Sequence, residues 1–270
     1  MTVERIDACF AQARNDGRAV FVPYVMAGDP DLEATLEILR GVPEGCIIEL
    51  GLPFSDPMAE GPSIQKAAQR SLRAGVRTRD VLALVRRLRE TDQTTPVVLM
   101  GYLNPIESYG YGAFAADAAA AGVDGLIVVD CPPEEAAPLL DALEPNGLAL
   151  VRLATPTSDD ARLKVIAERS AGFLYYVAVA GVTGTKAADA ADVAPAVARA
   201  RAASGLPVGV GFGIRTPDQA AAIARIADAV VVGSALVDEV AAALDAGQPV
   251  APRVLKALNA LAQAVAGARR

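Results

Sequence analysis

The feature that most constrains the fold of this chain is an eightfold alternation of short apolar runs with amphipathic, alanine-rich stretches. The apolar runs are too short for core helices and are rich in Val and Ile, which is typical of strands buried on both faces of a parallel sheet. The predicted strands span Ala19–Met26, Cys46–Leu50, Val97–Tyr102, Gly125–Val129, Ala149–Leu153, Phe173–Val177, Val208–Gly211 and Ala229–Val232.

Apolar positions repeat with helical spacing between the predicted strands. Thr216 and Pro217 form an N-cap residue followed by proline at the first helical position, which marks one helix start clearly. Two further apolar stripes, beginning at Val3 and Val254, predict one helix before the first strand and one after the last. The helices predicted within the repeat span Leu32–Leu39, Asp80–Leu88, Ala113–Ala121, Glu134–Leu143, Asp160–Glu168, Val193–Ala203, Pro217–Ile226 and Val237–Leu244.

Strands that alternate with helices form parallel βα units, which build either a doubly wound sheet or a closed (β/α)₈ barrel. Eight units in a chain of 270 residues favour the barrel. No linker and no shift in composition divides the chain. We therefore expect residues 1–270 to form a single α/β domain, a (β/α)₈ TIM barrel with an extra N-terminal helix and a C-terminal helix.

The composition excludes several classes of function. The chain has no histidine, which rules out Ser-His-Asp and Cys-His nucleophile systems, His-ligated zinc and histidine general bases. Its net charge of −7 argues against a nucleic-acid partner. No apolar stretch is long enough to span a membrane, and the N-terminus lacks a signal-peptide pattern. Three scattered cysteines are typical of a reducing compartment, so the expected location is cytoplasmic.

Acidic residues cluster at the end of the second predicted strand, where the active site of a βα barrel forms. Glu49 lies inside the apolar end of that strand, where we expect burial to raise the pKa of its carboxyl group; the alternative is a glutamate that faces solvent or forms a salt bridge. The following segment, Leu52–Pro62, is rich in proline and carries Asp56 and Glu60. We interpret this segment as an ordered loop that brings both acids over the mouth of the barrel.

Glycines follow each of the last three predicted strands, in the segments 181–184, 209–213 and 233–234. Glycine lets a phosphate approach backbone N–H groups closely, and the N-terminus of a helix favours an anion. A phosphate site after the last strands recurs in βα barrels, and we predict one here. The P-loop motif and the dinucleotide fingerprint are both missing, so the sequence does not support an NTP or NAD site.

Segments at the predicted strand ends resemble the signatures of the tryptophan synthase α subunit family. The resemblance runs in order and at family spacing from about residue 2 to residue 265. The most specific segment is the nine-residue run from Glu49 to Pro57. The other matching segments are Pro23-Tyr24, Ala27-Gly28-Asp29-Pro30, Tyr102-Leu103-Asn104-Pro105, Gly181-Val182-Thr183-Gly184, Gly211-Phe212-Gly213-Ile214 and Gly233-Ser234-Ala235.

The resemblance implies a barrel that cleaves indole-3-glycerol phosphate into indole and glyceraldehyde 3-phosphate, by a retro-aldol step without metal or cofactor in this chain. Glu49 matches the family's catalytic acid–base, and Asp56 matches a loop residue tied to closure and subunit communication. The positions implied to contact the substrate are Phe21, Tyr102, Tyr175, Thr183 and Phe212. The positions implied to bind its phosphate are Gly184, Gly213, Gly233 and Ser234.

Glu60 departs from the family, which carries Asp at this position. In the family that Asp pairs with the indole N–H and stabilises positive charge in the protonated indole. Glu keeps the charge and adds one methylene, and a misplacement on the order of 1 Å can cost about a hundredfold in rate. We expect Glu60 to keep the catalytic role, because the residues around it are otherwise similar to the family.

The resemblance also implies a partner, a β subunit that carries pyridoxal phosphate and consumes the indole within an α₂β₂ complex. Two alternatives stay open from the sequence. The first is another sugar-phosphate barrel enzyme, although related epimerases use metal and histidine, and none of the four lysines ends a predicted strand. The second is a catalytically weak subunit that binds and activates the β partner. Glu60 gives this second alternative slight support, and the intact segment around Glu49 weighs against it.

Overall fold

The eight strands pair in chain order, all parallel, and the pairing of β1 with β8 closes them into the predicted barrel. The structure is a computed structural model that describes residues 3–178, 190–211 and 213–269. Each predicted strand overlaps an observed one. The strands are β1 (Val20–Met26), β2 (Ile48–Gly51), β3 (Val97–Gly101), β4 (Gly125–Val128), β5 (Ala149–Ala154), β6 (Leu174–Val177), β7 (Val208–Gly211) and β8 (Ala229–Val232).

Helices surround the barrel, and the described ranges contain twelve α-helices. They are α1 (Val3–Asn15), α2 (Leu32–Arg40), α3 (Pro62–Arg73), α4 (Thr78–Arg89), α5 (Leu103–Tyr109), α6 (Tyr111–Ala121), α7 (Ala137–Leu143), α8 (Asp160–Ala167), α9 (Ala190–Ser204), α10 (Pro217–Ala224), α11 (Ser234–Asp245) and α12 (Val250–Gly267). None of these helices is both long and apolar enough to cross a membrane.

Two helices, α3 and α5, have no counterpart in the sequence prediction. Both begin in proline-containing segments that we interpreted as loops or strand ends. Pro62 is the first residue of α3 and Pro105 lies in the first turn of α5. A proline at these positions costs no intrahelical hydrogen bond, because the first N–H groups of a helix have no partner within it. The predicted helix Glu134–Leu143 is also divided, into a 3₁₀ turn at Pro133–Glu135 followed by α7.

Alternate residues of each strand fill the inside of the barrel, which is a packed core below the site. Val20 and Val22 of β1 belong to this inner cluster, whereas Phe21, which lies between them, packs outward. The helix α1 covers the amino-terminal end. Its Phe10 ring lies 5.7 Å from the ring of Phe173, centroid to centroid.

A buried ion-pair network ties the bottom of the barrel to its outer helices. Asp124, which directly precedes β4, is fully buried and accepts hydrogen bonds from Arg5 at 2.7 Å and Arg89 at 2.9 Å. It also accepts the backbone N–H of Val97, the first residue of β3, at 2.7 Å. The carboxylate therefore links α1, α4 and the strands β3 and β4 at the end opposite the site.

Replacement of Asp124 by alanine is expected to reduce the free energy of unfolding by about 3–5 kcal/mol, because it leaves two guanidinium groups without their buried partner. Urea denaturation at neutral pH measures this loss. The control is Glu33→Ala, which removes the partner of Arg87 at the surface and is expected to change stability little. Equal losses in the two variants contradict the assignment of Asp124 as a structural anchor.

Candidate active site

A pocket opens at the carboxyl-terminal end of the barrel, where strands and the segments that follow them converge. Its cavity volume is about 60 Å³, because the side chains that line it lie close together. The residues that line it are Tyr24, Glu49, Glu60, Ile64, Met100, Tyr175, Gly213, Ile214, Arg215, Val231, Gly233 and Ser234. Six residues predicted from the sequence are among them, namely Glu49, Glu60, Tyr175, Gly213, Gly233 and Ser234.

Glu49 lies in the wall of this pocket with its side chain almost completely removed from water. It is only 1% exposed, and its Oε2 atom finds no hydrogen-bond partner in the described part of the chain. Burial disfavours the charged form and raises the pKa of Glu49 to about 8, with a further contribution from the charge of Glu60. A carboxyl group in this state carries a proton at neutral pH and can donate it to a bound molecule.

Glu60 reaches the same pocket from the loop between β2 and α3. It is 8% exposed, and burial raises its pKa to about 7. Gln65 of α3 anchors the backbone here by donating a hydrogen bond of 3.0 Å to the carbonyl oxygen of Glu60. The pocket thus combines two carboxyl groups whose pKa values both lie near neutrality, an arrangement suited to acid–base chemistry without histidine.

Two tyrosines flank the carboxyl groups, and two strand glycines make room for them. A Cβ atom on Gly51 would lie 2.3 Å from the hydroxyl of Tyr24, and one on Gly211 would lie 2.1 Å from the hydroxyl of Tyr175. Any larger residue at either position would therefore displace a tyrosine. Burial, together with the nearby charges of the two glutamates, raises the pKa of both phenols well above the usual value, so both stay neutral.

Apolar side chains complete the wall between the carboxyl groups. Met100 comes from β3, Val231 from β8, Ile64 from α3 and Ile214 from the segment after β7. A pocket with this lining favours a flat apolar ring and keeps water away from the carboxyl of Glu49. The sequence prediction did not include these four residues, because aliphatic residues of this kind occur throughout the barrel and carry no distinguishing signal.

The other side of the pocket is suited to an anion. Gly233 is the N-cap residue of α11 and Ser234 is its first residue, so the N-terminus of a twelve-residue helix borders the pocket. Gly213, after β7, has a φ of 72°, a left-handed conformation that glycine adopts without strain. Arg215, which the sequence prediction missed, adds a cation to the lining and forms an ion pair with Asp238.

Two residues expected to contact the substrate do not line the pocket. Phe21 packs among the outer helices because it alternates with the inward-facing Val20 and Val22, so the expectation for Phe21 is wrong. Tyr24, three positions along β1 and on the opposite face, lines the pocket instead. The period of two along β1 is a signal that could have identified it.

Tyr102 is absent from the residues that line the pocket, and it contacts the loop between β2 and α3. Its ring packs against Phe54 with centroids 5.1 Å apart, and its hydroxyl accepts the backbone N–H of Ala59 at 2.9 Å. Both contacts hold the loop that carries Glu60. Tyr102 therefore contacts this loop, and its contact with the substrate stays a prediction.

The remaining expected residues lie on the rim or outside the described ranges. Asp56 is exposed on the loop between β2 and α3, next to Met58, which is 83% exposed. Thr183, Gly184 and Phe212 lie outside the described residues. Within those that are described, no group of three or more acidic or cysteine side chains is placed to hold a metal ion.

Comparison with known proteins identifies the family. The sequence profile of the family described as "Tryptophan synthase alpha chain" matches residues 10–266. The tryptophan synthase alpha chain of Phenylobacterium zucineum is 64% identical over 272 residues, which cover 100% of this chain and 98% of that protein.

Solved structures agree with this result. The tryptophan synthase subunit alpha of Legionella pneumophila is 41% identical, with a TM-score of 0.89 over 97% of this chain and 98% of that one. A chain of Mycobacterium tuberculosis tryptophan synthase is 40% identical, with a TM-score of 0.87 over 97% and 98% of the two chains.

The raised pKa of Glu49 predicts a pH-dependent stability difference between wild type and Glu49→Gln. Between the ordinary pKa near 4.5 and the folded value of about 8, folded Glu49 keeps a proton that the unfolded chain releases. Rising pH therefore destabilises the wild type through this group, and glutamine removes the effect. Between pH 4.5 and pH 8.5, we expect the free energy of unfolding of Glu49→Gln to rise relative to that of wild type by on the order of 3 kcal/mol.

Urea denaturation at the two pH values measures this difference. Glu135→Gln, which removes an exposed carboxyl from the surface, is the matched control and is expected to change the free energy of unfolding little at either pH. A Glu49→Gln difference that is the same at both pH values contradicts the assignment of a buried, protonated carboxyl.

Proposed function

The chain belongs to the tryptophan synthase alpha chain family, and we propose that its pocket cleaves indole-3-glycerol phosphate into indole and glyceraldehyde 3-phosphate. The observation that carries the proposal is the buried carboxyl of Glu49, whose Oε2 lacks a partner within the described ranges and borders an apolar pocket. An acid of this kind matches what the bond cleavage requires, because the indole ring must gain a proton before it can leave.

The first step is protonation of the indole ring at C3. Glu49 donates its proton to this carbon, and the ring becomes a cation whose positive charge is shared with the indole nitrogen. The pKa of about 8 keeps Glu49 protonated at neutral pH and ready for this step. The apolar walls, among them Met100 and Val231, hold the ring against the acid and exclude water.

The second step breaks the carbon–carbon bond. The Glu49 carboxylate, now deprotonated, takes the proton of the hydroxyl on the adjacent side-chain carbon. The electrons of that O–H bond form the aldehyde, and those of the breaking carbon–carbon bond return to the indole ring and neutralise it. Glu49 ends the cycle protonated, so one carboxyl serves as both acid and base.

Glu60 is suited to stabilise the cation between these two steps. Its carboxyl borders the same pocket, and with a pKa of about 7 it carries negative charge in a large fraction of molecules at neutral pH. In the proposed pose it accepts the indole N–H and opposes the positive charge on the ring. Tyr102 and Gln65 hold the backbone of the loop from which this longer side chain extends.

The phosphate of the substrate binds at the opposite side of the pocket. Gly213, Gly233 and Ser234 provide a glycine turn and the N-terminus of α11, and Arg215 adds positive charge nearby. Binding there holds the glycerol chain across the pocket and directs the indole ring toward Glu49. This anchoring orients a neutral ring that makes few polar contacts of its own.

We further propose that the chain works with a β chain, which carries pyridoxal phosphate and consumes the indole, in an α₂β₂ complex. The loop between β2 and α3 lies at the mouth of the pocket and exposes Asp56 and the apolar Met58. An exposed methionine at the exit of the pocket suits contact with a partner chain. Asp56 is then placed to report closure of the loop to that partner.

Replacement of Glu49 by glutamine is expected to reduce the rate of indole release by about a thousandfold or more, because the amide can neither donate nor accept the proton. Binding of glycerol 3-phosphate, measured by calorimetry, is expected to stay within about threefold of wild type. The rate is measured for the chain alone and with a β chain. Near-normal release by the variant refutes the mechanism, and no release by the wild type in either condition favours a binding subunit.

The role of Glu60 is tested by comparing Glu60→Asp and Glu60→Ala in single-turnover cleavage. We expect Glu60→Ala to be slower than wild type by about a hundredfold, because the ring cation loses its counter-charge. Glu60→Asp keeps that charge and is expected to stay within about tenfold of wild type. If Glu60→Ala cleaves as fast as wild type, Glu60 has no catalytic role.

A further inference from the structure

A second cavity lies outside the barrel, between the strands β4 and β5 and the helix α8. Its volume is about 500 Å³, and it shares no lining residue with the substrate pocket. Arg152 lies on the outer face of β5, because its neighbours Val151 and Leu153 pack in the inner cluster. The family signatures and the proposed reaction assign no role to this cavity.

Arg152 is a buried cation in the wall of this cavity. It is 5% exposed, and its Nε and Nη1 atoms find no hydrogen-bond partner among the residues that the structure describes. Burial lowers the pKa of Arg152, but a guanidinium stays charged at any physiological pH. Two of the three guanidinium nitrogens are thus buried without a hydrogen-bond partner among the described residues.

Arg89 shows how this chain treats a buried guanidinium that serves structure alone. It is 6% exposed, as buried as Arg152, yet it donates to the carbonyl oxygens of Thr95 and Gly122 and to the carboxylate of Asp124. Leaving such donors unsatisfied carries the full desolvation penalty of a buried charge. The contrast indicates that the donors of Arg152 serve a group other than this chain.

The rest of the lining favours a negatively charged ligand. Arg162 adds a second cation, which also pairs with Glu134. Three hydroxyl groups border the cavity, on Thr155, Thr157 and Ser158, and Asp130 provides the one carboxylate in the described lining. Two guanidinium groups and three hydroxyls match the donors that bind carboxylates and phosphates in proteins.

We propose that this cavity is a second ligand site, which binds a small molecule through a carboxylate or phosphate group held by Arg152. The planar fork of the guanidinium donates two parallel hydrogen bonds to either oxyanion, and the ligand neutralises the buried charge. The volume far exceeds that of a single water molecule, so the ligand has room for a body beyond its anionic group.

The test uses the full chain with ¹⁵N-labelled arginine and follows the Nε–H resonances by NMR. Arg152→Met removes one signal and so assigns the Arg152 resonance. Sodium acetate and sodium phosphate are the two probes, added separately at constant ionic strength against sodium chloride. Because the readout belongs to one residue, phosphate that binds in the substrate pocket does not interfere.

We expect at least one probe to shift the Arg152 resonance saturably, with a midpoint near or below about 10 mM, while the exposed Arg40 does not respond. A response to acetate alone identifies a carboxylate ligand, and a response to phosphate identifies a phosphate ligand. If neither probe shifts the signal saturably, or if chloride shifts it equally, the proposal is wrong.

The stability of Arg152→Met separates ligand binding from a structural role. In chloride, this variant is expected to melt at or above the temperature of wild type, because methionine removes an uncompensated buried charge and keeps the volume. The rise in melting temperature produced by the effective probe is expected to shrink in Arg152→Met and to persist in the control Arg40→Met. A variant that melts far below wild type and keeps the full rise contradicts the proposal.

Discussion

The desolvated carboxyl of Glu49 is the feature on which the proposed chemistry depends. In water a glutamate is ionised at neutral pH and has no proton to give, whereas this one is 1% exposed and has a pKa of about 8. That environment carries a cost in stability, since an acid that avoids ionisation opposes folding as the pH rises. The destabilising group lies at the carboxyl-terminal end of the barrel, while the packed core and the Asp124 network stabilise the opposite end. The division agrees with the general separation of function and stability between the two ends of βα barrels.

The surroundings of Glu49 explain why the pocket keeps its shape. Tyr24 and Tyr175 flank it only because Gly51 and Gly211 leave room for their hydroxyls. The second carboxyl, Glu60, lies on a loop, and loops position side chains less firmly than strands do. Here hydrogen bonds to Tyr102 and Gln65 hold the backbone of the loop in place, so the longer glutamate extends from a fixed backbone position. The site therefore combines a rigid acid on a strand with a second acid on a braced loop.

The barrel could be predicted from the sequence because short Val- and Ile-rich runs recur eight times between helical patterns. Glu49, Gly233 and Ser234 could be located because strand ends converge in such a fold. The helices α3 and α5 were not predicted because each has a proline in its first turn, and a proline at that position is equally typical of a loop. The prediction that Phe21 contacts the substrate was wrong, and Tyr24 was missed. A resemblance between segments does not say which face of β1 a side chain occupies. The sequence did not indicate a role for Arg152, since the burial of an arginine is visible only in the folded chain.

The acid role of Glu49 is tested most directly by a titration of its carboxyl group. ¹³C-labelled glutamate allows the side-chain carboxyl carbon to be followed by NMR from pH 4 to pH 10, with Glu49→Gln used to assign the resonance. We predict that this carbon titrates with a midpoint near 8, far above the ordinary value of 4.5. A midpoint near the ordinary value would mean that Glu49 is ionised at neutral pH, and it would contradict the proposal that this residue is the acid that protonates the indole ring.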